Sequence, residues 1–432
     1  MLASYRRIFA PPGTVAFTLA GLCGRLSSSM TGVGTLVMIA TRRDSYALAG
    51  AVSAAGVAAV ALGMPLLGRL VDRYGQRKVA VRSVLVAAGP FAGLLLCVHY
   101  GAPTWTYFVC WPAASVQPNL GGMVRARWAH LHRDDPAARH LANSFEQVLD
   151  ELCFMTGPVL SMLLCTTLFP EAGLLVAGLL SGTGVLLFAA QRRTEPPVRP
   201  VARGGGGAWR AAGLRAVVPV FLATGLVFGS MEVTTIAYTD ALGQRASGGG
   251  MLALLAAGSC ASGLAFGLVR FRRPAATRLL AGTAAMAGLL LLPLTVASAG
   301  AGTAVLAVAL FVAGSGTAPT MVAGMTVVQE AVPEGQLNEG MALAVSGIVV
   351  GISAGSALGG TIAQHTAPGT GYLVPASAAV LALLLTAVGH RRLQRPTTAP
   401  VEPTAAAPAT SAPAAPTEAP ARNPAATVGA DR

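Results

Sequence analysis

The chain has 432 residues, 53% of them hydrophobic and only 11% charged, with a mean hydropathy of +0.62. A soluble domain carries roughly 25% charged residues, so the composition excludes an ordinary water-soluble globule and predicts a membrane-embedded chain. The net charge of +13 does not point to nucleic acid, because the arginines cluster between apolar runs, where they would face anionic lipid.

Taken in order, the sequence predicts twelve spanning helices, each from a run of about 20 mostly apolar residues. The first six runs are 14–41, 47–67, 79–99, 104–124, 141–166 and 171–190. A Gly-, Pro- and Arg-rich connector comes next, at 191–212. The last six runs are 213–239, 249–269, 275–296, 303–328, 341–364 and 372–389. The expected fold is an all-α integral membrane protein of two six-helix bundles, 1–190 and 213–395. Residues 396–432 are a Pro, Ala and Thr tract without apolar periodicity, expected to be a disordered tail.

Basic residues in short loops mark the cytoplasmic side of a membrane. With a cytoplasmic N-terminus, 26 of the 30 Lys and Arg residues fall inside; Arg42, Arg43 and Arg245 fall outside and Arg25 is buried. That asymmetry predicts a multi-pass protein of the cell membrane with both termini cytoplasmic. The short segment bearing Arg6 and Arg7 leads into a run that would stay as a helix rather than be removed as a leader. All six cysteines lie in apolar runs without metal-ligand spacing and are expected as packing residues. There is no phosphate-binding Gly-rich loop with Lys and no spacing that argues for a catalytic set, so no enzyme, no metal and no cofactor are expected.

The stretch at 68–78 reads G-R-L-V-D-R-Y-G-Q-R-K and lies between runs 2 and 3. Arg69, Arg73, Arg77 and Lys78 each need water, a counter-charge or a lipid phosphate, so the stretch reads as a cytoplasmic loop. The halves on either side of the connector are faintly alike. Gln117-Pro118-Asn119 ahead of Gly122-Met123 is echoed by Ala318-Pro319-Thr320 ahead of Gly324-Met325. The basic loop is echoed by Arg270, Arg272, Arg273 and Arg278. Parallel six-helix repeats of this kind build one large class of transporters.

These residues resemble the major facilitator superfamily of secondary transporters, over about 14–390. Its signature loop between helices 2 and 3 is G-x-x-x-D-R/K-x-G-R/K-R/K. Gly68, Asp72, Arg73, Gly75 and Arg77 match it, while Gln76 stands where a basic residue is usual. The resemblance implies that Asp72 faces the N-terminus of helix 11, near Asn338, in a contact that closes the cytoplasmic side and breaks when the halves rock. Exporters of this family that exchange substrate for protons carry a G-P-x-x-G pattern in helix 5. Here Gly157-Pro158 match and Ser161-Met162 depart from it. The glycines of run 11 (Gly347, Gly351, Gly355, Gly359 and Gly360) lie mostly on one face and are expected to pack across the interface between the halves.

Arg25 lies deep in run 1, where a guanidinium needs a partner or water. Run 5 offers Glu146, Asp150 and Glu151; the first two are four apart and share a face. One of Asp150 and Glu151 is expected to neutralise Arg25 while the other stays protonatable. Glu232 stands alone in run 7 and is a candidate proton carrier or substrate contact. The family's central cavity, lined by helices 1, 4, 7 and 10, nominates Arg25, Ser28, Trp111, Gln117, Asn119, Glu232, Thr235, Tyr238, Thr320 and Met321. So sparse a polar lining suits a small amphipathic organic substrate. The expected function is proton-coupled transport by a monomer driven by the proton gradient, with export favoured. Proton-coupled uptake and a non-transporting membrane sensor or scaffold are the rivals.

Overall fold

The computed structural model describes residues 2–198, 207–244, 247–333, 335–366 and 368–394. The tail expected at 396–432, part of the connector, Arg245 and Glu334 lie outside the described residues. The regular structure described is all helix. In chain order the helices are α1 Leu2–Ile8, α2 Thr14–Arg43, α3 Tyr46–Tyr74, α4 Gln76–His99, α5 Trp105–Ser115, α6 Leu120–Leu131, α7 Pro136–Thr167 and α8 Ala172–Ala190. They continue as α9 Ala212–Ala241, α10 Ser247–Leu268, α11 Ala275–Leu289, α12 Leu291–Ser298, α13 Thr303–Gly314, α14 Thr317–Ala331, α15 Leu337–His365 and α16 Leu373–Leu393.

Among the described residues, ten stretches are long and apolar enough to cross a membrane, α11–α12 and α13–α14 each counting as one. The protein is therefore a multi-pass, all-α membrane protein. Its surface agrees: Leu62, Val86 and Val388 are at least three-quarters exposed, which water would penalise and lipid does not. Two expected runs fall outside the ten. Helix α2 is 30 residues long, but Arg25 and its Ser and Thr residues dilute its hydropathy. The expected run 104–124 is two short helices, broken at Val116–Asn119. Pro118 has no amide hydrogen to give, and the Asn119 carboxamide accepts from Gly122 N (3.0 Å) to start α6 afresh. The run 303–328 is likewise interrupted, at Ser315-Gly316.

The basic loop expected at 68–78 is a second difference. Helix α3 runs on to Tyr74 and α4 begins at Gln76, leaving Gly75 alone as the reversal. Its φ of +93° is left-handed, a conformation that a side chain would strain. Helix α7 begins five residues before the expected start, because Asp135 accepts from Ala137 N and Ala138 N (3.0 Å each) and Pro136 suits the first turn.

The buried apolar clusters separate along the chain. Two are built from residues 8–188, with Leu268 packed at one edge, and two from residues 208–393. The glycines of α15 do not face across the connector as expected. They form a seam with α9: a Cβ on Gly355 would lie 2.9 Å from Leu226 Cα, and one on Gly359 3.1 Å from Ser230 Cα. Gly225 and Gly229 of α9 answer from the other side, against Ile348 and Ile352. The two backbones touch over several turns, as small residues in apolar surroundings allow.

Candidate functional site

Arg25 is almost fully buried on α2, and the face of α7 opposite it carries the acids. The Arg25 guanidinium contacts Glu146 Oε2 at 2.7 Å and Asp150 Oδ1 at 2.9 Å. Arg125 of α6 donates to the other oxygen of Asp150 at 2.6 Å. Trp128 Nε1 donates to Glu146 Oε1 at 2.6 Å. Two guanidiniums and two carboxylates thus cancel in a largely buried cluster, where an unpaired charge would be costly. The Glu146 side chain is fully buried. Gly157, one helical stretch further along α7, approaches Ser29 closely enough that a Cβ would lie 2.6 Å from its Cβ, which holds α7 on α2.

Glu151 points elsewhere, about 100° around α7 from Asp150. It accepts from Ser259 Oγ of α10 (2.9 Å) and from Gln147 Nε2 (3.2 Å). Ser259 in turn accepts from Thr317 Oγ1 of α14 at 2.8 Å. A half-buried carboxylate with only neutral hydrogen-bond partners therefore ties α7, on the N-terminal side of the connector, to α10 and α14 on its C-terminal side. Glu232 is exposed on α9. No ion pair or hydrogen bond to it is found among the described residues.

The nominated cavity residues do not converge. Ser28 is exposed and donates to Gly24 O. Trp111 is packed against Gly56 of α3, and Gln117 accepts from Ser181 of α8 (2.8 Å). Asn119 serves as the cap of α6. Thr235 accepts from Tyr372 OH (3.2 Å), and Tyr238 meets the same ring edge-on, so both are packed against Tyr372 whereas Glu232 is exposed. Thr320 donates to Gly316 O, and Met321 lies in the core with Phe221.

Near Gly75, helices from the two sides of the connector meet. Asp72 accepts from Asn338 N (3.0 Å), Asn338 Nδ2 (2.8 Å) and Glu339 N (2.8 Å). It caps α15 from another helix, and α15 has no side-chain cap of its own. Arg69 pairs with Glu339 at 2.6 Å. A Cβ on Gly68 would sit 2.7 Å from Asn338 O, so the helices meet backbone to backbone. Arg77 N donates to Glu195 of the connector (2.9 Å), while the Arg73 side chain lies over Tyr74. Asn143 and Gln329 exchange two amide hydrogen bonds, at 2.9 and 3.1 Å.

The model of the Major Facilitator Superfamily matches residues 17–304. The chain belongs to the Major Facilitator Superfamily. It is a membrane transporter, not an enzyme. Among solved structures, the chain is similar to a bacterial homologue of the iron transporter ferroportin in its outward-facing state, at 16% identity and a TM-score of 0.68, covering 88% of this chain and 100% of that one. It is also similar to the human organic anion transporter MFSD10 (TETRAN), at 17% identity and a TM-score of 0.62, covering 89% and 100%. No curated protein matches the chain.

In superfamily terms, the departure at Gln76 has a local cause. Gln76 is buried; its Oε1 accepts from Arg127 Nε (2.9 Å) and its Nε2 donates to Met123 O (3.0 Å). Arg127 is fully buried, stacks on Phe188 at 3.7 Å and gives its remaining bonds to Gln191 O, Thr194 Oγ1 and Phe188 O. A basic residue at 76 would remove the Oε1 that accepts from Arg127 and set a second cation beside a buried guanidinium. At the opposite end of the helices, Arg42 holds Glu171 through both carboxylate oxygens (2.9 and 3.1 Å), and His99 adds 3.1 Å. Burial alone would raise the Glu171 carboxyl, but these donors hold it below the usual range. Arg43 donates to Tyr107 OH at 2.6 Å and to Ala102 O. Sequence reasoning missed Arg125, Gln147 and Ser259 as members of the site. Arg125 is buried in the structure and so needs a carboxylate, but its place near the end of an apolar run offers no means, from sequence, of telling it from a topological marker.

Proposed function

We propose that this chain is a proton-coupled secondary transporter that exports a small amphipathic organic molecule by alternating access. In this reading α2 is the first of twelve spans, and the broken pair α5–α6 is the fourth. Residues 1–190 and 213–395 form two six-helix bundles, and both termini are cytoplasmic. The contacts around Asp72 and Asn143 close the cytoplasmic end. The separation of apolar clusters at the connector supports the two-bundle reading. Spans interrupted at Val116–Asn119 and at Ser315-Gly316 support a binding region at mid-membrane, since irregular backbone is tolerated there only where it lines a cavity or is covered by protein.

The observation that carries the proton role is Glu151. Its hydrogen-bond partners are neutral, and one of them, Ser259, lies on the other bundle. When α7 and α10 part, the carboxylate exchanges a hydroxyl for water, so its proton affinity differs between the two arrangements. That difference is what coupling requires. Asp150, held by Arg25 and Arg125, serves instead as a fixed counter-charge. Glu232, exposed and unpaired among the described residues, suits a cationic or hydroxyl-bearing group on the substrate. No three His, Cys, Asp or Glu side chains among the described residues come together to hold a metal, which favours an organic substrate over iron.

Proteoliposomes containing a trapped pH-sensitive dye test the reading. A panel of fluorescent amphipathic compounds should drive proton movement opposite to the compound. In Glu151→Gln the compound should equilibrate without proton movement. Proton movement in the same direction as the compound would instead assign uptake. Unaltered proton coupling in the variant would remove Glu151 from the mechanism.

A further inference from the structure

At the end of the molecule that bears the basic turns, a cavity of about 620 Å³ opens between α1, the start of α7, the end of α10, α11 and α14. It is distinct from the buried charges around Arg25. Its lining includes Arg7, Arg139, Arg270 and Arg278, against two acids, Asp135 and Glu330. Asp135 is already engaged by the first-turn amides of α7. None of these four arginines makes an ion pair within 4.0 Å among the described residues. Arg278 Nε is buried without a hydrogen-bond partner. His140 adds no charge: its Nε2 donates to Phe266 O (2.9 Å), which leaves Nδ1 to accept from Arg278 NH1 (3.3 Å). The reciprocal Asn143–Gln329 amide pair closes the cavity toward the interior.

The place of this cavity in the fold explains why it is there. The α3–α4 turn delivers the Asp72 carboxylate to the first turn of α15. The corresponding α10–α11 connection, V-R-F-R-R-P at 269–274, lies beside the first turn of α7 and contains no acid. Where one junction is filled by a carboxylate bonded to helix amides, the other is hollow, with four arginines set against Glu330, whose charge bears on Arg139 and Arg278 without a direct ion pair.

We propose that this cavity binds a phosphate-bearing anion, which takes the place of the missing carboxylate and fastens the two sets of helices together at this end. Guanidinium forks match phosphate oxygens two at a time, and the volume lies within the ordinary range of about 300–1,000 Å³ for ligand sites. The phosphate is presented either on a lipid headgroup of the adjoining leaflet or on a soluble molecule.

The test uses the full chain in nanodiscs of phosphatidylcholine, either alone, with added phosphatidylglycerol, or with inorganic pyrophosphate in the buffer. Backbone hydrogen exchange is monitored over 136–144 and 268–278. The phosphate source should slow exchange in both segments together. Arg139→Gln with Arg270→Gln should weaken its midpoint about 30-fold, or about 2 kcal/mol. Arg139→Lys with Arg270→Lys, which keeps the charge but loses the two-point forks, should fall between the unaltered protein and the double Gln variant, which separates loss of charge from loss of fold. A response to phosphatidylglycerol alone assigns the lipid headgroup; a response to pyrophosphate alone assigns a soluble anion. No response to either, or an equal response in the double Gln variant, overturns the proposal.

Discussion

Arg25 shows how a single residue can organise a membrane interior. A guanidinium in an apolar run must find carboxylates, and the run with acids four apart is that of Glu146 and Asp150. That much is legible from residue types and spacing. Arg125 is not, because a basic residue near the end of a run reads equally well as a topological marker. Replacing Arg25 by Ala leaves Glu146 and Asp150 buried with too little positive charge. The expected loss is about 3–5 kcal/mol, read as a fall in the unfolding midpoint in detergent. Adding Asp150→Asn should recover part of that loss, because the surplus negative charge goes with it. Equal midpoints for the Arg25→Ala and unaltered proteins would mean that water reaches the pair. Trp111, Gln117 and Met321 do not converge on a cavity because apolar periodicity says little about which face of a helix meets one when nearly every face is apolar.

At the scale of elements, hydropathy sets the helices to within a few residues, since lipid leaves the backbone few alternatives. It fails where backbone chemistry overrides composition. Pro118 with Asn119 breaks a run that hydropathy reads as continuous, and Gly75 shrinks an expected loop to one residue. The glycine face of α15 is legible as a close-packing face, but its partner is not, because glycine carries no chemistry that names the opposing helix. The seam with α9 makes a sharp contrast possible. Gly351→Leu should lower thermal stability by about 1–3 kcal/mol or more, because its Cβ would meet the backbone of α9. Gly32→Leu, with nothing within 4 Å of its Cβ, should leave the midpoint unmoved. Equal losses at both positions would show that the seam is not tight.

For the whole molecule, the distribution of arginine and lysine carries the most information, because it bears on phase and orientation from sequence alone. The exceptions have a physical account: Arg42 is matched by Glu171, and Arg43 is held by Tyr107 and Ala102. The state of closure is not legible in the same way, because it rests on contacts far apart in the chain. Asp72→Ala removes the cap of α15, a change of about 1 kcal/mol, or roughly fivefold in an opening equilibrium. Amide exchange should rise at 337–342 and, to the same degree, at the distant segment 143–148, if that end opens as a unit. A rise confined to 337–342 would make Asp72 a local cap only.

The seam of α9 with α15 bears on how any such opening must proceed. Backbones in contact over several turns cannot slide, so α15 is a strut welded to its neighbour. Its 29 residues span about 43 Å, nearly the full thickness of a bilayer with its headgroups. Releasing Asp72 at one tip must therefore swing the other tip as well, and a small displacement at the basic surface becomes a lever stroke at the opposite one.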